Sequence, residues 1–468
     1  MRKKNFTRLT WAALLLFSLF PSLWAQELPT AKVEDDSALR RSLLTSWLKE
    51  SPGKVLAARS FMQTLPGGSR IQVRAEERNQ EFTILLAREQ NLAGGSRTYP
   101  GWVQGSWVLA RRKDDGSNIH IRFFPRSDPY MYVQFRPMEG GKSDKSLMDV
   151  VIYDAYMVHS LAIPFSFDRL LEIPVEEALR SAGSIFPRRY FEPQVDQYRD
   201  IRSVIVRIRD KLPALTFRDD GAIDNQGRYV FINTLAPQEG PGGLNCSGFA
   251  KWVIDGLLKP MTGERLPIEP LKEAFGTRGS SFTEPWEQLR DPFFGLDWTR
   301  NLASRANKTL FNDESGTNMA LLSPVTGALE EIEVRSAPFG SVIVRDRGNA
   351  PSGIRPYPGF LFNAGFGVEG LQALLYTLAI DEPGRIYLVS VNNEIGAPTT
   401  AKNPRGLPRM RQHFHVAVLV PYFNEYGVFQ IAVFESAAET SFTAFKNRYP
   451  GHYVNLVRVP VEGVFDPD

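Results

Sequence analysis

One stretch, Pro241–Val253, constrains the fold most, because it contains the only cysteine among 468 residues. Asn245 is a favourable N-cap residue, so we expect a helix that begins at Cys246 and ends near Pro260, where proline cannot continue it. A thiol in the first turn of a helix meets backbone N–H groups without intrahelical acceptors and the positive end of the helix dipole, and both favour the thiolate. Position alone is compatible with a nucleophile and equally with a small buried apolar side chain.

The first 25 residues have the pattern of a secretory signal. A basic region precedes a short apolar segment, Trp11–Phe20, and small Ala25 ends a sequence that fits a cleavage site. The apolar segment is shorter than the roughly 20 residues of a membrane span. We expect cleavage near Gln26 with no stable span afterwards, or alternatively an uncleaved anchor. The basic residues are Arg2, Lys3, Lys4 and Arg8.

Export to the periplasm or the outside of a bacterial cell, if the signal acts as expected, changes how Cys246 is interpreted. A single cysteine has no partner for an internal disulfide, and an idle thiol is a liability in an oxidising compartment. Its expected location therefore favours a functional thiol.

Composition and motifs exclude several other function classes. The formal net charge of +3 is too small to indicate a nucleic-acid partner. The sequence has no spacing typical of a zinc site, a P-loop or a dinucleotide fingerprint, so we expect no cofactor and no metal. The acidic residues at 219–227 have the wrong spacing for an EF-hand and are interpreted as turns.

Residues 26–185 are predicted to form a short helix followed by a mostly antiparallel β domain. Apolar residues at 36–50 follow helical spacing. Between about 69 and 180, alternating patterns and turn clusters indicate strands. The tyrosines of this β domain are compatible with a binding face, although packing on a β surface is their more usual role. The predicted strands are 106–110, 119–124, 130–135 and 148–156, and the tyrosines are Tyr130, Tyr132, Tyr153 and Tyr156.

Residues 186–468 are predicted to form a second domain that contains Cys246. A helix at 194–212 and a hairpin at 217–232 precede the cysteine. The stretch 261–380 is rich in proline, glycine and aromatic residues and is interpreted as an insertion. Further strands are predicted at 385–391, 415–422, 428–435 and 453–459.

A cysteine nucleophile needs a base, and His415 is the best candidate. His413 and His415 open an apolar strand and would point to the same face of a regular strand. If the following turn is centred on Glu425, His415 pairs with Glu435, whose carboxylate would orient the imidazole and stabilise its charged form. A one-residue register change would bring Ser436 opposite His415, and a two-residue change would lose the pairing.

These residues resemble the motifs of the NlpC/P60 cysteine peptidases. Asn245-Cys246-Ser247-Gly248-Phe249 looks like the family's Asp-Cys-Ser-Gly-Phe signature. His415–Leu419 is similar to its His-Val-Gly-Ile-Tyr strand, and Pro383–Ile386 to its Pro-Gly-Asp-Leu lead-in. The similarity covers roughly 195–260 and 380–462. Asn245 departs from the family's aspartate, and the segment between the cysteine and the histidine is longer than is usual there.

The resemblance implies an α+β protein whose catalytic domain is papain-like, with the cysteine helix packed on an antiparallel sheet and the β domain in front of it. It implies hydrolysis of amide bonds in peptidoglycan stem peptides, typically between D-glutamate and a diamino acid, through a cysteine thioester. Cys246 would be the nucleophile, His415 the base and Glu435 the third polar residue. Tyr229 would assist the oxyanion.

Two other functions stay open at this point. The chain is also compatible with a non-catalytic envelope-binding protein on the same scaffold, and with a papain-like amidase or acyltransferase that acts on another substrate. Rapid labelling of Cys246 by a thiol probe near neutral pH would favour an enzyme, because only a thiolate reacts readily.

Overall fold

The computed structural model describes residues 35–92, 95–138, 143–275, 291–311, 328–337, 355–356, 359–392 and 413–468. The predicted signal at 1–25 lies outside them. The chain divides into two compact units, Met1–Pro129 and Tyr130–Asp468. Both combine antiparallel sheets with helices, in agreement with the α+β class. The units differ from the predicted domains, 26–185 and 186–468, whose boundary stays a prediction.

The first unit is an antiparallel sheet preceded by short helices. The apolar stretch at 36–50 forms a helix and a π-helical turn that buries Trp47 and Leu48. The predicted hairpin that begins at Ser106 is confirmed. The elements are α1 (Ser37–Ser42), the π-helical turn (Leu44–Leu48), α2 (Pro52–Ala57), β1 (Phe61–Thr64), β2 (Arg70–Arg78), β3 (Glu81–Arg88), β4 (Gln90–Asn91), β5 (Arg97–Thr98), β6 (Trp107–Arg112) and β7 (Asn118–Phe123). Here β1, β2, β3, β6 and β7 are neighbours in that order, and β4 pairs with β5.

The second unit begins with three antiparallel strands, β8 (Met131–Pro137), β9 (Ser146–Ile152) and β10 (Ala155–Ile163). The prediction of one strand over 148–156 is wrong. Tyr153 and Asp154 both have positive φ, 46° and 61°, and form the two-residue turn of a hairpin. The alternation of apolar residues continues through such a turn, so the sequence alone does not reveal the turn.

A six-stranded antiparallel sheet forms the core of the second unit. The strands predicted from the alternating patterns at the C-terminal end of the sequence are confirmed, and one face of the sheet packs against apolar residues such as Leu374 and Leu378. The neighbours in order are β14 (Phe366–Gly367), β19 (Tyr453–Pro460), β15 (Arg385–Asn392), β16 (His413–Phe423), β17 (Phe429–Glu435) and β18 (Ala438–Thr440). β13 (Arg355–Pro356) pairs in parallel with β10, and β11 (Gly221–Ile223) with β12 (Tyr229–Phe231) as the predicted hairpin.

Helices cover both faces of this sheet. The helix that contains Cys246 packs against the next long helix, and both contact β16. No helix among the described residues is long and apolar enough to cross a membrane. The helices are α3 (Phe167–Leu170), α4 (Val175–Ser181), α5 (Arg199–Lys211), α6 (Cys246–Thr262), α7 (Phe294–Phe311), α8 (Leu329–Ile332), α9 (Leu371–Asp381) and α10 (Phe442–Arg448).

The cysteine helix α6 passes through Pro260, where the sequence predicted its end. It continues to Thr262 and ends at Gly263, which has a φ of +75°. Proline at 260 cannot donate to the carbonyl of Gly256. That carbonyl accepts instead from the backbone N–H of Asp466 at 2.8 Å, so the missing helical bond is replaced by a tertiary one.

Candidate active site

Cys246 is the first residue of α6, as predicted. The Asn245 side chain caps the helix by accepting from the Gly248 N–H at 2.7 Å. The Asn245 backbone N–H donates to the carbonyl of Gly221 in β11 at 2.9 Å. The start of the helix is thus fixed to the preceding hairpin, and the partly exposed Cys246 side chain lies at the positive end of the helix dipole.

Helix α7 contacts both halves of the site, although it belongs to the stretch interpreted as an insertion. The Trp298 indole N–H donates to the carbonyl of Ser247 at 2.9 Å. At its other side, a Cβ placed on Gly295 would lie 2.8 Å from the carbonyl oxygen of His413. α7 therefore packs against both the cysteine helix and the histidine strand. Whether 261–380 as a whole is an insertion stays a prediction.

A β-bulge separates the two histidines that were expected to share a face. His415 pairs with Val391, whereas His413 pairs with Asn392, the next residue, so Phe414 is the extra residue of the bulge. The two imidazoles consequently point to opposite faces, and the expectation of a shared face is wrong.

The buried His413 ring is held by polar groups on its side of the sheet. Ser390 Oγ lies 3.0 Å from its Nδ1, and Asn392 Nδ2 and the carbonyl oxygen of Asn363 lie 3.2 and 3.0 Å from its Nε2. Both ring nitrogens of His413 thus have partners on that face, and His415 is the histidine of the candidate site.

His415 and Glu435 meet as predicted, but through a different register. Phe423 pairs with Phe429, so the turn is centred on Tyr426 rather than Glu425. This two-residue shift does not lose the contact, contrary to expectation. It keeps both side chains on the same face, where a diagonal neighbour is within reach of a long side chain. His415 Nε2 lies 2.7 Å from Glu435 Oε2.

The same imidazole interacts with the thiol of Cys246, and the two groups shift each other's titration. Burial raises the pKa of the thiol, but the hydrogen bond and charge of His415 outweigh it, and the pKa lies below its ordinary value. Burial lowers the pKa of His415, whereas hydrogen bonds with Cys246 and Glu435 raise it to about 9. Both shifts favour the thiolate–imidazolium pair over the neutral pair.

Glu435 stays ionised because two cations share it. Burial raises the pKa of its carboxyl, yet the bonds to His415 and Arg448 hold the pKa below its ordinary value. Arg448, in the last turn of α10, binds Oε1 at 2.5 Å. The sequence analysis missed Arg448, since only the folded hairpin brings α10 beside the end of β17.

Tyr449 is a second residue that the sequence analysis missed. Its ring centroid lies 5.8 Å from that of His415 and 5.9 Å from that of Phe414. The buried ring packs beside the imidazole. An aromatic residue beside a basic one in a short helix is too common a pattern to have indicated this role.

Tyr229 lies beside the segment that leads into Cys246. A Cβ placed on Gly242 would lie 2.0 Å from Tyr229 Cγ, so glycine at 242 makes room for the ring. Burial, and then the charge of Asp468, raises the pKa of the phenol. A role for Tyr229 at the oxyanion stays a prediction.

The arrangement brings a thiol, an imidazole and a carboxylate together in that order. Acyl transfer by a cysteine nucleophile uses a set of this kind. Among the described residues, no group of three or more His, Cys, Asp and Glu side chains is arranged to hold a metal ion.

The similarity to known families lies in a different part of the chain from the candidate site. Residues 29–190 match the model of a family described as a domain of unknown function, DUF8515. No curated protein and no solved structure matches the chain. The family match ends before α5, so it carries no information on Cys246 and its partners.

Proposed function

We propose that this protein is a cysteine hydrolase with a papain-like catalytic domain of the NlpC/P60 type. The observation that carries the proposal is the position of His415 between the thiol of Cys246 and the carboxylate of Glu435. The order of the elements supports it: the cysteine begins a helix, the helix packs on an antiparallel sheet, and the histidine and the acid lie on neighbouring strands.

In the first half of the reaction, the thiolate of Cys246 attacks the carbonyl carbon of an amide and forms a tetrahedral intermediate. The backbone N–H of Cys246 belongs to the first helical turn, whose amides have no intrahelical acceptor, and it can donate to the developing oxyanion. The imidazolium of His415 gives its proton to the leaving nitrogen as the C–N bond breaks. The products are a thioester on Cys246 and a free amine.

In the second half, neutral His415 takes a proton from a water molecule, and the resulting hydroxide attacks the thioester carbonyl. The C–S bond breaks and the thiolate returns, while the carboxylic acid product leaves and releases its proton to the solvent. Glu435 stabilises the imidazolium that forms in this step and keeps the ring oriented. A contribution of Tyr229 to the oxyanion rests on the family resemblance alone.

For the substrate we propose stem peptides of peptidoglycan, cleaved between D-glutamate and a diamino acid. This proposal rests on the resemblance of residues 245–249 and 415–419 to the family motifs and on the expected signal at 1–25. The corresponding location is the periplasm or the outside of a bacterial cell. A papain-like amidase or acyltransferase with another substrate would use the same three residues.

The direct test is hydrolysis of purified stem peptides, followed by mass spectrometry of the new amine and carboxylate. Cys246→Ala and His415→Ala are expected to lower the rate by at least about a thousandfold, because the members of a catalytic set act as a unit. Circular dichroism should show that both variants keep the fold.

His120→Ala is the matched control. His120 lies on β7 in the first unit, whereas the candidate site lies in the second unit. Activity of this variant should equal that of the wild type. A fully active Cys246→Ala protein would contradict the proposed chemistry, whereas a reactive thiol without activity on any stem peptide would contradict only the proposed substrate.

A further inference from the structure

Glu435 divides its two carboxylate oxygens between His415 and Arg448. Oε2 lies 2.7 Å from His415 Nε2, and Oε1 lies 2.5 Å from an Nη of Arg448. The Glu435 side chain is 6% exposed, whereas that of Arg448 is 47% exposed. The carboxylate is therefore buried between one partner inside the site and one at its rim.

Helix α10 fixes the position of Arg448. The Ser441 hydroxyl caps the helix by accepting from the Ala444 N–H at 3.1 Å. Phe445 is fully buried in the core. The guanidinium lies over the ring of Tyr449, 5.6 Å from its centroid, and the same ring packs beside His415. The arginine is thus held from below by the ring and from the side by the carboxylate.

Two effects of Arg448 on the site oppose each other. Its charge competes with the imidazolium for Glu435, but solvent and salt screen the charge of a half-exposed group. Its hydrogen bond fixes the rotation of the carboxylate, and screening does not remove that constraint. Because a charge-assisted hydrogen bond is directional, the second effect should dominate.

We propose that Arg448 is a positioning residue that holds Glu435 in the orientation in which it supports His415. Arg448 does not touch the reacting atoms, and it acts through its hydrogen bond with Glu435. This inference rests on the proposed function, since it assumes that His415 and Cys246 form the reactive pair.

The chain provides a matched comparison. Arg209 forms an ion pair with Glu439 through two hydrogen bonds of 2.8 and 2.7 Å, and its side chain is 43% exposed. Glu439 lies on β18 and is 30% exposed, and its carboxylate pairs with Arg209 rather than with His415. Arg209→Met therefore removes a similar surface ion pair without affecting the carboxylate of the site.

The experiment measures the rate of alkylation of Cys246 by iodoacetamide as a function of pH, in the full chain. The reagent is uncharged, so loss of an arginine does not change its attraction to the protein. For Arg448→Met we expect labelling at pH 6 about three- to fivefold slower than in the wild type, the size of one partly exposed ion pair. Arg448→Lys, which restores one donor, should recover part of the rate, and Arg209→Met should label like the wild type.

Three outcomes would overturn the inference: an unchanged pH profile in Arg448→Met, faster labelling in that variant, or equal slowing in Arg209→Met. An increase of the rate would mean that competition for the carboxylate outweighs positioning. If the wild-type thiol itself titrates like an ordinary cysteine, the proposed function fails as well. A depressed wild-type titration that does not respond to Arg448→Met removes the positioning role alone.

Discussion

At the residue scale, the reactivity assigned to Cys246 depends on His415. The hydrogen bond and charge of the imidazole are the main effects that lower the pKa of the thiol against the effect of burial. The imidazole in turn depends on Glu435, which helps to raise its pKa to about 9. The three side chains therefore form one titrating unit.

Glu435→Gln is expected to move the alkaline limb of the pH–rate profile to lower pH. The imidazolium donates the proton to the leaving group, and activity falls as it deprotonates. In the wild type this happens near the pKa of His415, at about 9. The amide keeps the shape of Glu435 but removes the negative charge that stabilises the imidazolium, so the pKa of His415 decreases. The measurement is kcat/KM for peptide hydrolysis against pH.

Glu439→Gln is the control for this experiment, because Glu439 pairs with Arg209 at the surface. Its profile should coincide with that of the wild type. An unmoved alkaline limb in Glu435→Gln would show that the carboxylate does not support His415.

The three residues of the candidate site could be singled out from the sequence, for reasons that differ. Cys246 is the only cysteine and follows a good N-cap residue. His415 and Glu435 lie at the two ends of a hairpin. They stay on the same face of the sheet when the register shifts by an even number of residues. Arg448 and Tyr449 could not be predicted, because their proximity to His415 depends on where α10 packs after the hairpin closes.

At the element scale, the close contact between α6 and β11 fixes the start of the cysteine helix. A Cβ placed on Gly248 would lie 2.0 Å from the carbonyl oxygen of Gly221, which is backbone and cannot move aside as a side chain can. The same carbonyl accepts the hydrogen bond of the Asn245 N–H. The glycine of the Cys-Ser-Gly motif is thus required by packing.

Gly248→Ala is therefore expected to destabilise the protein by about 1–3 kcal/mol, the usual cost of overpacking. Denaturant-induced unfolding measures the change. Gly53→Ala in α2 is the control, since a Cβ at this helical position has no atom within 4 Å and the exchange should be neutral or stabilising by up to about 1 kcal/mol. Equal stability of Gly248→Ala and the wild type would contradict the close contact.

Elements whose form depends on distant partners could not be predicted in detail. The bulge at Phe414 places His413 opposite Asn392. The local sequence pattern around Phe414 does not indicate a bulge. The passage of α6 through Pro260 depends on Asp466, far along the chain, which takes the free carbonyl of Gly256. The strands themselves were predictable, because alternation is a local property.

At the scale of the whole molecule, the candidate site lies entirely in the second unit, on α6, β16 and β17. The family match at 29–190 covers most of the first unit and continues through β8–β10. The match ends before Cys246 and therefore gives no support to the chemistry proposed for it.

The central claim is that the fold turns an ordinary cysteine into a nucleophile. The direct measurement is the titration of the thiolate by its ultraviolet absorbance, in the folded and in the denatured chain, with Cys246→Ala as the blank. A single cysteine makes the signal unambiguous. The account predicts that the denatured thiol titrates near the ordinary value of about 8.5 and that the folded thiol titrates at clearly lower pH. Coincident titrations in the two states would contradict it.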